Sequence, residues 1–135
     1  GPLEKNVILV SPDAGASKKI YKIAKEIGFN GDVVTCCKGR DEKGNILRTV
    51  VPVTPRSHMD YIIIDDICDG GATFIEIAKT LRVTLPNSSR IILIVTHGIF
   101  SKGTEKLLEN IDIIYTTNSY SELKETESLK TLKLF

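Results

Sequence analysis

Tyr61-Ile-Ile-Ile-Asp-Asp-Ile-Cys-Asp-Gly-Gly-Ala-Thr73 carries an apolar run into two adjacent carboxylates and then into a glycine pair. A run without polar alternation fits a strand buried on both faces, the kind found in a sheet covered by helices. Such a strand delivers Asp65 and Asp66 to the sheet edge, and Gly70-Gly71 let the following backbone fold around an anion. Thr73 then opens Phe74-Ile-Glu-Ile-Ala-Lys-Thr-Leu81, whose apolar spacing predicts a helix on that sheet with Thr73 as its cap. Amides at a helix start hold phosphate, and carboxylates accept from hydroxyls, so the segment points to a ligand with both, such as a sugar phosphate. The alternative is an ordinary strand-to-helix turn with solvated acids. Adjacent acids directly after a wholly apolar run repel each other unless a cation or hydroxyls share the space, which favours the ligand.

The rest of the chain repeats the alternation of apolar run and helical spacing. Val7–Val10 predicts a strand, and Ile20, Ile23, Ala24 and Ile27 predict a helix over 16–27, stopped by Gly28 and Gly31. Strand candidates at 32–37 and 48–53 flank a polar segment, 38–47, expected to be a mobile hairpin or lid. Further strands are expected at 90–96, 111–116 and, as an edge, 129–135, with a short helix at 103–110. The fold class that follows is three-layer α/β: a mostly parallel central sheet with helices on both faces and a protruding flexible hairpin. In such sheets ligands bind beyond the carboxyl ends of the strands, a rule that gathers Asp13, Asp65, Asp66, Thr96 and His97 on one rim.

Composition bounds the partners. The 135 residues, 41% hydrophobic, are enough for one compact domain, expected over 3–135, and Gly1-Pro2 reads as a tag remnant. A net charge of +1 gives no field to attract a nucleic-acid backbone. No run approaches the roughly 18 apolar residues of a membrane helix, so neither nucleic acid nor membrane is expected as a partner, and the location expected is cytoplasmic. Cys36, Cys37 and Cys68 lack the paired spacing of a structural zinc site or a disulfide framework and read as reduced thiols.

Two other segments carry chemistry. Ser11-Pro-Asp-Ala-Gly-Ala-Ser-Lys-Lys19 is a second strand-to-helix turn. By itself Asp13 there reads as a helix cap, but beside Asp65 and Asp66 it suggests a divalent cation held mostly by water and ligand oxygens, as magnesium prefers. Lys38 and Arg40 place two cations on the expected lid, which suits phosphoryl transfer, although a solvated basic hairpin has the same composition. His97 either satisfies backbone groups or touches ligand, and His58 reads as surface. Neither a lysine-bearing P-loop nor a GxGxxG turn occurs.

Four segments in order resemble the ribose-phosphate pyrophosphokinases, specifically their C-terminal, phosphoribosyltransferase-like half. Ser11-Pro-Asp-Ala-Gly15 is similar to the family's S-P-D-A-G-G turn, Lys38-Gly-Arg40 to the K-x-R of its flexible loop, 65–73 to its ribose-phosphate loop, and Thr96-His-Gly-Ile-Phe-Ser101 to its T-H-G-x-F-S segment. The resemblance implies transfer of the β,γ-diphosphoryl group of ATP to ribose 5-phosphate, with magnesium, giving 5-phosphoribosyl 1-diphosphate and AMP. It implies that Asp65 and Asp66 hold ribose hydroxyls directly or through magnesium, that Asp69, Gly70, Gly71, Ala72 and Thr73 cradle the 5-phosphate, and that Asp13 faces the ribose and the metal. Lys38 and Arg40 would be catalytic, neutralising the transferred charge. Ala16 departs from the pattern, as does Asp-Gly-Gly-Ala-Thr where many members have Asp-Thr-Gly-Gly-Thr; Gly70 lacks a hydroxyl, and Ala72 adds a methyl group where a left-handed backbone would be costly. The family's preceding domain, which supplies the adenine pocket and much of the homo-oligomer packing, has no counterpart in this sequence, so an excised domain or a short relative is expected. Two other functions fit the same motifs: a phosphoribosyltransferase consuming the diphosphate product, and a non-catalytic regulatory or assembly subunit.

Overall fold

The computed structural model describes residues 6–26, 28–40, 42–43, 46–50, 58–68, 70–86, 88–119 and 129–131. Its elements in chain order are β1 (Val7–Ser11), α1 (Ala14–Glu26), β2 (Val33–Thr35), β3 (Cys37–Arg40), β4 (Ile46–Val50), β5 (Asp60–Cys68), α2 (Ala72–Thr84), β6 (Arg90–Gly98), α3 (Glu105–Leu108), β7 (Ile113–Ser119) and β8 (Leu129–Thr131). Six strands form one sheet in the order β2-β1-β5-β6-β7-β8, and every pairing in it is parallel. β3 and β4 form a separate antiparallel pair.

The continuous apolar runs have the expected consequence. Tyr61 and Ile63 are fully buried on one face of β5 with Phe74, Ile77, Ala78 and Leu81 of α2 and with Leu107 of α3. Ile62 and Ile64 point the other way, toward Leu9, Ile20 and Ala24, where α1 covers the sheet. Helices therefore lie on both faces.

Several boundaries differ from the sequence expectation, each for a local reason. β6 runs on to Gly98, so Thr96, His97 and Gly98 are strand residues, with His97 in register between Ile67 and Asn118. The chain leaves the main sheet at Cys36, whose amide donates to Ser11 O at 2.9 Å, and begins the hairpin immediately afterwards. Lys38 and Arg40 thus stand on a paired strand rather than in an open loop, opposite Thr49 and Ile46, with the register shifting between Gly39 and Arg40. Thr73 is not the cap of α2. That helix starts at Ala72, and the residue before it, Gly71, occupies the cap position with φ 85° and no side-chain cap bond. The left-handed residue is accordingly a glycine, and Ala72 is in helical conformation, so its methyl group brings no strain. The expected C-terminal edge strand is present at Leu129–Thr131, and its remainder, 132–135, lies outside the described residues.

At the amino ends of the strands the sheet is tied by ion pairs. Arg90 donates to both carboxylate oxygens of Asp60, at 2.9 and 2.6 Å. Arg82 of α2 donates to Ser89 O, Asn110 O and Asp112 Oδ2, and the same Asp112 oxygen accepts from the amide of Ile91.

Candidate functional site

The strand order reverses between β1 and β5: from β1 the chain steps outward to β2, and from β5 it steps the other way through β6, β7 and β8. In open parallel sheets that switch point leaves a crevice at the carboxyl ends, because the loops after the two strands diverge to opposite faces. A cleft of about 310 Å³ lies there, lined by Pro12, Asp13, Asp65, Gly70, Gly71 and Thr73 among others.

Each wall has its own origin. On the β1 side, Asp13 Oδ1 accepts from Ala16 N at 2.8 Å and so caps α1, while Ser11 Oγ donates to Asp13 O at 2.6 Å. Asp13 is therefore both the helix cap and a lining residue of the cleft, leaving its second carboxylate oxygen outside that bond. On the β5 side, the amides of the first turn of α2 have no acceptor within the helix, as in any α-helix, and Gly71 has no side chain to cap them. The turn is held from below: a Cβ on Gly71 would come within 3.2–3.3 Å of the Leu107 side chain. The loop after β6 supports the same turn, since Ile99 and Phe100 both donate to Cys68 O, at 2.9 and 3.1 Å. Phe100 has φ 49°, and its ring folds back to where a Cβ on Gly98 would lie only 2.2 Å away. The Thr96-to-Ser101 segment thus builds the floor of the turn through Gly98 and Phe100.

Asp65 and Asp66 take separate hydrogen-bond partners. Because β5 continues to Cys68, they alternate across the sheet. Asp65 faces the cleft and α2, with Oδ1 accepting from Asp66 N at 2.8 Å. Burial raises the pKa of Asp65, the bond from Asp66 N opposes that rise, and the nearby Asp13 and Asp66 charges add to it. Asp66 turns toward α1 and forms an ion pair with Lys19, whose ammonium is held above its usual pKa first by that hydrogen bond and then by the carboxylate charge. The cation that relieves the adjacent acids is, for Asp66, a lysine of the protein. A small void of about 30 Å³ is lined by this pair together with Asp65, Ile64, Ile20 and Thr96.

Among the described residues no group of three or more His, Cys, Asp or Glu side chains could hold an ion directly, and Asp66 is paired with Lys19. Asp13 and Asp65 do share the cleft, and the upward push of Asp13 on Asp65 records their proximity. Two carboxylates with water and ligand oxygens suit magnesium, so the residues present fit a water-mediated ion held by Asp13 and Asp65. Gly70, Gly71, Ala72 and Thr73 line the cleft; Asp69 lies outside the described residues. Lys38 and Arg40 are on β3. Sequence reasoning missed Lys19, for its partner lies 47 positions away and no local pattern announces it. Cys36 and Cys68 are buried thiols, and no described helix is long and apolar enough to cross a membrane.

No protein-family model matches the chain. Individual relatives do. The chain is 33% identical over 105 residues to ribose-phosphate pyrophosphokinase 4 of Saccharomyces cerevisiae, covering 78% of this chain and 31% of that protein. It is 31% identical to the ribose-phosphate pyrophosphokinase of Aquifex aeolicus, covering 85% and 36% respectively. Among solved structures, phosphoribosylpyrophosphate synthetase from Mycobacterium smegmatis superposes with a TM-score of 0.72 at 25% identity, over 94% of this chain and 40% of the other. Adenine phosphoribosyltransferase from Thermoanaerobacter pseudethanolicus shares the fold, with a TM-score of 0.60 at 17% identity over 85% and 70% of the two chains. The chain spans about a third of the length of the curated relatives it matches.

Proposed function

Because the chain belongs to the ribose-phosphate pyrophosphokinase family, as a homologue of its C-terminal domain, we propose that residues 3–135 are the ribose 5-phosphate-binding domain of such a synthetase. The supporting observation is the cleft at the strand switch point, where carboxylates occupy one wall and a helix start preceded by Gly71 occupies the other. Amides of that helix start suit the 5-phosphate, and Asp65 with Asp13 suits ribose hydroxyls, since ionised carboxylates only accept. The reaction proposed for the whole protein is transfer of the β,γ-diphosphoryl group of ATP to the anomeric hydroxyl of ribose 5-phosphate. Magnesium, held through water by Asp13 and Asp65, would supply charge neutralisation for the transferred group. The β3–β4 hairpin would bring Lys38 and Arg40 to that charge, acting on turnover more than on binding. ATP contacts and homo-oligomer packing are assigned to the remainder of the synthetase, and the location to the cytoplasm.

Calorimetry of the chain with ribose 5-phosphate and magnesium tests the seat. Asp65→Ala should weaken binding roughly tenfold or more, by loss of charge-assisted hydrogen bonds, while Asp66→Ala should cost less because that carboxylate is already paired with Lys19. Equal affinity of wild type and Asp65→Ala would sink the assignment.

A further inference from the structure

Gly70 and Ala72 form a wall shared by two hollows. Beside the ribose-phosphate cleft lies a second one of about 370 Å³, bounded also by Ile75, Lys102, Gly103, Glu105 and Lys106. Among the described residues the lining of the first cleft includes no basic side chain, and it carries the carboxylates of Asp13 and Asp65. A phosphate seated at the start of α2 meets there the partial charge of a helix end, about half an elementary charge. A full positive charge stands just across the glycine. A Cβ built on Gly70 would meet Lys102 Cδ and Cε at 3.8 Å, so the lysine stem stands about one methyl group from the backbone of this turn. Lys102 is exposed, and no acid among the described residues pairs with it.

We propose that Lys102 is a phosphate ligand of this site, its ammonium passing over the bare backbone of Gly70 to donate to the phosphate oxygens. A lysine suits the task because its point charge swings on a flexible stem, and the absence of a side chain at position 70 leaves its path open. Lys102 would do for the phosphate what neither Gly70 nor Ala72 can do by side chain. The inference rests on the ribose 5-phosphate reading and adds to it a division of labour: Asp65 reads the sugar and Lys102 reads the phosphate.

The test titrates the wild-type chain, Lys102→Met, Lys102→Arg and the exposed-helix control Lys22→Met with ribose 5-phosphate and, separately, with inorganic phosphate. Lys102→Met should weaken both ligands roughly tenfold, and the deficit should shrink as salt rises. Lys102→Arg should recover most of the affinity, and Lys22→Met should match wild type. Asp65→Ala should weaken ribose 5-phosphate while leaving inorganic phosphate unchanged. Wild-type affinity in Lys102→Met, or an equal loss in Lys22→Met, overturns the role of Lys102. A wild-type chain that binds no ribose 5-phosphate removes the proposed function itself, and this inference with it.

Discussion

Asp65 and Asp66 are chain neighbours that serve opposite faces of one sheet. Position after an apolar run made both visible as candidates, but their division depends on β5 extending to Cys68, and the lysine that claims Asp66 is remote in sequence. Asp65 carries a thermodynamic burden as a result. Its pKa is raised in the fold, chiefly by burial, so the folded state binds this proton more tightly than the unfolded chain does. The stability associated with the protonated form is fully present below about 3.8, the ordinary aspartate value, and is lost as pH rises through the raised value. Asp65→Asn keeps an oxygen to accept from Asp66 N and cannot ionise. It should therefore raise the thermal midpoint at neutral pH, an advantage that vanishes on acidification below the ordinary aspartate pKa, while ligand binding falls. A lower midpoint for the variant at neutral pH would contradict this account of the cleft.

Elements were legible where hydrophobic pattern alone decides, and less so where a cap does. The runs at 7–10, 61–64 and 90–96 marked three strands, and α1 and α2 followed from helical spacing. Thr73 was a reasonable cap by residue type, yet a left-handed Gly71 caps α2 two residues earlier, and a side chain there would combine a strained φ of 85° with a tight contact to Leu107 at 3.2–3.3 Å. The hairpin was legible as a hairpin, while its departure at Cys36 depends on a bond to Ser11 O that no local pattern encodes. At the opposite rim, α2 is fastened by Arg82 to Ser89 O, Asn110 O and Asp112. Arg82→Ala should cost about 1–2 kcal/mol by chemical denaturation, the half-exposed Asp112 contribution being screened by solvent. Ribose 5-phosphate affinity should be unchanged, since the fastening lies at the strands' amino ends.

For the molecule as a whole, a parallel sheet covered on both faces was readable from uninterrupted apolar strands, whereas the order β2-β1-β5-β6-β7-β8 was not, because pattern identifies strands without choosing their neighbours. That order is what puts Asp13 beside Asp65 and creates the crevice. The same arrangement governs how the chain reaches its fold. Among the described residues the single antiparallel pair, β3–β4, stands apart from the main sheet, and every pairing within that sheet is parallel, a geometry that a tight turn cannot make. Local pairing therefore cannot template the central ladder, and chain-closure entropy must be met before β1 and β5 align. Thr49→Gly, placed in the hairpin opposite Lys38, should change the refolding rate less than about twofold, whereas Ile63→Val in the centre of β5 should slow it, as followed by stopped-flow circular dichroism. The hairpin is then a late passenger in folding, free to vary without endangering the acquisition of the sheet that carries it.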